Sequence, residues 1–274
     1  MNDKREMTMT RINNFFSRVL EILRISPSRK SIAGDSSVSR TSPDNESCET
    51  ILQDKASCAN RNCETKVTIS KQQLAELPAA QFKGEIKVID KADDISEAVA
   101  ELYKSDIIGF DTETRPTFKK GQSNNVSLLQ LSTRKKCFLF RLNRIGLDSK
   151  LIELLQDPSQ LKIGLSIHDD FHNLNKLSHL EPKGFIDLQS YVKQYRIADN
   201  SLTKIYAIIF GKRISKGQRL TNWEADTLTP PQKSYAALDA LACVDIYDFI
   251  SSGKFNPDDS PYLVEILPEP EAND

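Results

Sequence analysis

No stretch of this chain approaches the run of about 20 apolar residues that a membrane-spanning helix requires, so no stable membrane partner is expected. Neither sign of charge prevails: 37 Lys and Arg stand against 38 Asp and Glu, for a net charge of −1. Any surface that attracts a polyanion must therefore be local. The five cysteines include no Cys-x-x-Cys pair, and Cys48, Cys58 and Cys63 sit in a polar stretch, which argues against a zinc site there. Cys137 and Cys243 fall in apolar runs and read as small buried hydrophobes. Unpaired thiols of this kind suit a reducing compartment. No internal repeat is present.

What the chain does contain divides into three parts. Residues 1–64 are dominated by Ser, Arg, Asn and Asp from residue 26 onward and are expected to be disordered. Within them Ile12, Phe15, Phe16, Val19, Leu20 and Leu23 recur at helical spacing, a short amphipathic helix that suits an organelle transit peptide or a membrane surface. Asp3, Glu6 and Glu21 are out of keeping with a transit peptide, so a cytoplasmic location is expected, with organelle targeting as the alternative. Residues 65–252 form one domain, long enough to bury a core, and 253–274 form an acidic tail expected to fray beyond Phe255.

Inside the domain the hydrophobic pattern predicts strands at 86–89, 107–110, 126–131, 137–140 and 162–165. Helices are predicted at 95–102, 149–155, 168–177, 188–195, 202–210 and 231–250. Hairpin-like strands followed by alternation predict an α/β fold, a mixed β-sheet flanked by α-helices.

Acidic residues are concentrated where such elements end. The run Asp106-Ile-Ile-Gly-Phe-Asp-Thr-Glu113 is a buried strand terminating in two carboxylates, and period-2 geometry puts Asp111 and Glu113 on one face. On its own an Asp-x-Glu is as readily a solvated turn or a cap. Toward the C-terminus, Thr229 caps a helix with Pro230 at its first position, and Tyr235 and Asp239 stand four apart on one face. An isolated carboxylate on an Ala- and Leu-rich helix is costly to bury without a partner, which a cation would supply. The alternative is that Asp239 faces water, as Asp245 and Asp248 do on this reading, with Tyr235 in the core. Between these blocks a strand runs into a helix near His168, Asp169 and Asp170, where acids are also favoured by the helix dipole. Hard divalent ions such as Mg²⁺ or Mn²⁺ take oxygen ligands, usually one or two protein carboxylates each.

From about residue 83 to residue 250 these motifs resemble the ribonuclease D and Werner-syndrome type 3′-5′ exonuclease domain. That domain belongs to the tyrosine subclass of the DEDD nucleases and has a ribonuclease H-like fold. The matching segments are Gly109-Phe-Asp-Thr-Glu113, Gly164-Leu-Ser-Ile-His-Asp-Asp170 and Tyr235-Ala-Ala-Leu-Asp239, supported by Val126-Ser-Leu-Leu-Gln-Leu-Ser132, Cys137-Phe-Leu-Phe140 and Gln218-Arg-Leu-Thr-Asn-Trp-Glu224. Counting from Gly164 selects Asp170 over Asp169 for the second motif, leaving Asp169, His168 and His172 as neighbours. The resemblance implies that Asp111, Glu113 and Asp239 hold one divalent ion, that Asp111 bridges to a second, and that Asp170 holds that ion's waters. It implies that Tyr235 orients the attacking water. The activity implied is a two-metal 3′-5′ exonuclease releasing nucleoside monophosphates from single-stranded or 3′-recessed DNA, or from RNA. RNA 3′-end processing and a catalytically silent nucleic-acid binding module are the alternatives.

Basic loops flank the motifs at 118–122 and 211–219. Lys120, Lys212, Lys216 and Arg219 can hold a phosphate backbone without reading sequence, unless they merely solvate the loops. Thr112, beside the first carboxylates, joins them as a candidate nucleic-acid contact. Phe118 and Trp223 can stack on bases, though Trp223 equally suits a packing role under the last helix.

Overall fold

A computed structural model describes residues 64–119 and 124–266. The stripe at 12–23, the three N-terminal cysteines, Lys120 and the last eight residues lie outside the described residues. In chain order the elements are β1 (Thr65–Val67), α1 (Lys71–Glu76), β2 (Glu85–Ile89), α2 (Ile95–Leu102), β3 (Ile107–Thr114), β4 (Val126–Ser132), β5 (Lys136–Phe140), α3 (Leu142–Ile145), α4 (Ser149–Gln156), β6 (Leu161–Gly164), α5 (Ile167–Asn175), β7 (Phe185–Asp187), α6 (Leu188–Tyr191), α7 (Leu202–Phe210), α8 (Pro230–Ser251) and β8 (Leu263–Glu265).

Six strands form the expected mixed sheet, in the order β2-β5-β4-β3-β6-β7. The strands β3, β4 and β5 make an antiparallel meander; β2 lies parallel to β5, β6 to β3 and β7 to β6. Every residue of β4 is buried, as expected of a central strand covered on both faces.

Alternation along the strands divides the core into two layers. Ile108, Phe110, Leu129 and Leu131 pack with α2, α4 and α5. Ile107 and Leu128 face the other way, toward α7, α8 and Trp223. On the same odd-numbered register as Ile107 come Gly109, Asp111 and Glu113, so β3 offers its carboxylates to the α8 side.

Helix α8 begins with a capping box between Thr229 and Gln232 and two prolines in its first turn. Its sheet-facing residues are small, including Ala236, Ala237, Ala240 and Cys243. At Gly109 the approach is so close that a Cβ would lie 1.9 Å from the backbone oxygen of Ala240. Strand and helix backbones thus meet where the carboxylates of β3 begin.

One expectation is corrected. Order continues from Phe255 as far as Ile266: a 3-10 turn at Pro257–Asp259 leads into β8, which pairs antiparallel with β1 in the register Thr65↔Glu265 to Val67↔Leu263. Arg196 ties this pair to the body by bonding Thr65 and Asp258. The domain therefore extends past residue 252 because the two ends supply each other's strand partner. Sequence patterning also passed over α1, α3 and β7, which are too short to show a period.

Candidate active site

Three carboxylates converge from two elements. Asp111 and Glu113 on β3 and Asp239 on α8 each present an oxygen within 4.8 Å of the others. Glu113 and Asp239 are buried and Asp111 is half-buried. All three resist ionisation. Burial pushes Asp111 well above the usual carboxylate range, with Asp239, Asp170 and Glu113 adding to the effect. Burial, then Asp239 and Asp170, raise Glu113 to about 9, against the pull of Arg219. Burial raises Asp239 to about 7, opposed by Tyr235 and Lys216.

The fourth carboxylate arrives from the sheet's other face. A tight turn joins β6 to α5, with Ser166 at a left-handed φ of 59°. The carboxylate of Asp187 fixes that turn, accepting from the backbone N–H of Ser166 at 2.9 Å and of Gln189 at 2.8 Å. Asp170 then sits one turn into α5, half-buried, accepting a hydrogen bond from the hydroxyl of Thr112. Burial raises it to about 6, against the Thr112 bond. Asp169 and His168 point to solvent, with side chains 90% and 95% exposed. Between the two adjacent acids, geometry thus singles out Asp170 as the one beside the cluster.

Tyr235 lies one turn before Asp239 and is half-buried. Burial, then the charges of Asp239 and Glu113, lift its phenol far above the ordinary tyrosine value, so it is a neutral hydrogen-bonding group. Among the described residues no cationic side chain is hydrogen-bonded to these carboxylates, and buried together they are unfavourable when ionised, a cost that a cation relieves. All donors are hard carboxylate oxygens, and the set fits Mg²⁺ or Mn²⁺.

The flanking residues sort themselves. Lys216 and Arg219 are exposed, and their charges reach Asp239 and Glu113 respectively. Phe118 is 86% exposed, free to meet a base. Lys212 is exposed.

One assignment is corrected. Trp223 is fully buried with its ring 6.1 Å from that of Tyr235, so it packs beneath that residue rather than standing open to a base. Thr112 donates its hydroxyl to Asp170, which ties that carboxylate to β3.

Three contributors escaped the sequence. Asp187 carries no motif signal beyond its place at a strand end. Arg115 reaches Glu224 at 3.1 Å, joining the loop after β3 to the loop before α8; its spacing of two from Glu113 was the available clue. Arg141 is buried and donates to the backbone oxygens of Ala225 and Asp226, holding the second loop on the sheet.

Comparison with known proteins shows the family and the fold. Residues 86–253 match the family model described as 3′-5′ exonuclease. The bifunctional 3′-5′ exonuclease/ATP-dependent helicase WRN of Mus musculus is 31% identical over 195 residues, covering 67% of this chain and 14% of that protein. The exonuclease 3′-5′ domain-containing protein 2 of Drosophila melanogaster is 35% identical over 145 residues, covering 52% of this chain and 24% of its own length. The chain thus spans under a quarter of either relative. Among solved structures, the Aedes aegypti Nibbler EXO domain superimposes with a TM-score of 0.58 at 22% identity, over 66% of this chain and 96% of that one. Escherichia coli RNase D superimposes with a TM-score of 0.55 at 22% identity, over 62% and 46%. These structures share the fold: a mixed sheet flanked by helices.

Proposed function

The chain belongs to the 3′-5′ exonuclease family, and from that premise we propose that it hydrolyses nucleic-acid phosphodiester bonds from the 3′ end with two divalent ions, releasing nucleoside monophosphates. The observation that carries the reading is the convergence of Asp111, Glu113 and Asp239 within 4.8 Å, with Asp170 beside them. Asp111, Glu113 and Asp239 are the residues that would hold one Mg²⁺ or Mn²⁺, with Asp111 and Asp170 serving a second. Bound there, such ions supply Lewis acidity that stabilises both the attacking and the leaving oxygen of an in-line displacement at phosphorus.

The protein's own groups account for the rest. Tyr235, kept neutral, orients the attacking water by hydrogen bonding and is far too weak a base to deprotonate it. Glu113, ionised once a cation offsets the neighbouring carboxylates, would share in taking the water's proton as the new P–O bond forms. The bond to the 3′-oxygen breaks, and that oxygen leaves on the shortened strand, protonated from solvent. Lys216 and Arg219 face the acidic cluster from the rim and are suited to hold the terminal phosphates.

A second reading, RNA 3′-end processing, draws on one neighbour: RNase D of Trypanosoma brucei has been solved in complex with RNA U12, with a TM-score of 0.54 to this chain. One experiment tests both. Single-stranded DNA, RNA and a 3′-recessed duplex, each 5′-labelled, are incubated with increasing Mg²⁺ or Mn²⁺ beside the Asp111→Asn protein. A ladder shortening from the 3′ end, absent from the variant, is expected, and its rate ranks the substrates. Failure to cleave any of them would overturn the proposal and leave a nucleic-acid binding module.

A further inference from the structure

Strand β4 carries one side chain that its surroundings leave without a partner. All of its residues are buried, and its two serines find bonds nearby: Ser127 accepts from the backbone N–H of Arg115 at 3.3 Å, and Ser132 donates to the backbone oxygen of Thr133 at 2.9 Å. Gln130 differs. It is 0% exposed, and neither the oxygen nor the nitrogen of its side-chain amide has a hydrogen-bond partner. Burying an amide in this condition is costly, so a complement for it is to be sought among the groups it faces.

Register names those groups. Gln130 stands directly opposite Asp111 on β3 and opposite Leu139 on β5. Residues directly opposite in an antiparallel pair point to the same face, with Cβ atoms about 4.5 to 5.5 Å apart. That face is the α8 side, because Leu128, two residues earlier on β4, packs with Trp223 and Ala236. The two further carbons of a glutamine bring its amide within reach of the shorter Asp111 carboxylate, whereas Leu139 has nothing to bond. Asp111 has room for such a donor. Asp239 accepts from the hydroxyl of Tyr235 and Asp170 from that of Thr112, while Asp111 accepts from the backbone N–H of Thr112 and from no side chain among the described residues.

On the two-ion reading of the site, on which this role rests, we propose that Gln130 is a positioning residue: its side-chain N–H donates to the Asp111 carboxylate when that carboxylate holds an ion, and so fixes its orientation. Carboxylates that hold metal ions are themselves held by hydrogen bonds from groups that do not touch the metal, and removing such a group typically weakens the metal about 10- to 100-fold. The backbone beneath Asp111 is already pinned by the contact of Gly109 with Ala240. What remains free is the rotation of the carboxylate, and Gln130 is the amide placed to stop it. A buried water is the competing complement for this amide. It would leave ion binding independent of the residue at 130.

The test measures Mn²⁺ binding to the full chain by titration calorimetry, with melting temperatures taken in chelator and in Mn²⁺. Gln130→Met keeps the length of the side chain and removes the donor; Leu139→Met, on the far side of Gln130 from Asp111, controls for repacking of the same face. Gln130→Met should bind Mn²⁺ about tenfold more weakly, at the lower end of such effects. It should melt no lower than wild type in chelator, because the amide it removes is unpartnered there, yet gain less from added Mn²⁺. Leu139→Met should bind Mn²⁺ as wild type does. Strand shortening by Gln130→Met should need about tenfold more Mn²⁺ for half its maximal rate, with KM for the strand unchanged once Mn²⁺ saturates. Wild-type affinity in Gln130→Met would overturn the proposal in favour of the buried water. Equal weakening by both variants, or a Gln130→Met protein that melts lower or fails to fold in chelator, would overturn it in favour of a packing role. A wild-type chain that binds no Mn²⁺ would instead overturn the two-ion reading itself.

Discussion

Replacing Gly109 with alanine tests the link between backbone packing and chemistry. The new Cβ would lie 1.9 Å from the Ala240 oxygen, 2.8 Å from its carbonyl carbon and 3.0 Å from Cγ2 of Val244. The first two obstacles are backbone, so no rotamer change removes them. Ordinary contact begins at 3.4 Å, so β3 and α8 must part by about 1.5 Å, and overpacking on that scale costs about 3 kcal/mol, at the upper end of such insertions. Elsewhere the same substitution gains roughly 0.5 kcal/mol by restricting the unfolded chain, so the sign itself is diagnostic. The site suffers separately, because Asp239 precedes Ala240 and moves away from Asp111 with it. A displacement near 1 Å in a catalytic constellation costs about 100-fold in rate. Urea denaturation gives the stability, and shortening of a labelled strand, normalised to folded protein, gives the rate. Adding Val244→Ala should restore neither, since it clears only the side-chain contact. A Gly109→Ala protein with lower stability but a normal rate per folded molecule would refute the claim that this contact places Asp239.

Three further expectations follow from the charged groups. In chelator, Asp239 and Glu113 keep their protons to about pH 7 and 9 when folded, against roughly 4 when unfolded. The native state then binds more protons across that window, so metal-free stability is full below about pH 4 and falls as pH rises. Urea midpoints taken from pH 4 to 9 should decline, and Asp239→Asn should flatten the part below pH 7; a flat wild-type profile would contradict the burial argument. Lys162 has the opposite sign: burial depresses it to about 7 while its ammonium donates to the backbone oxygens of Leu154 and Asp157. Its unfolded form binds more protons between about pH 7 and 10, so its contribution improves with rising pH, and Lys162→Met should abolish that rise in thermal melts. Arg219→Ala should raise KM several-fold, reduce the salt dependence of binding by about one phosphate contact, and change kcat less than twofold. A loss confined to kcat would instead assign Arg219 to the chemical step.

How much of this could be read from the chain follows physical lines. Wherever position along one element decides orientation, the residues sufficed: Ile107, Asp111 and Glu113 share a face because strands alternate, and Tyr235 and Asp239 share one because helices repeat near 3.6. The six-stranded sheet was legible for the same reason, strand by strand, apart from β7 with its three residues. Wherever a contact depends on two elements approaching, spacing was silent. The partner of Thr112 lies 58 residues away on α5, and the clamp of Asp187 on Ser166 spans 21. Trp223 offered the same aromatic signal as Phe118, yet one is wholly buried and the other 86% exposed. The pairing of β8 with β1 joins the two ends of the domain, whose local composition resembles a tail.

The acidic cluster shows why those silent contacts matter most. Carboxylates repel, and burial makes each one harder to ionise, so a chain left to minimise its own energy would separate them. Here the separation is prevented by features outside the cluster: the missing Cβ of Gly109, the small residues along α8 and the Asp187-braced turn that starts α5. Each pins backbone, and backbone fixes where the carboxylates stand before any ligand arrives. A site preassembled in this way spends folding energy on repulsion that a divalent cation later relieves, so ion binding should stabilise the fold as well as enable hydrolysis. These backbone-fixing contacts are therefore as much a part of the candidate site as the four acids they hold together.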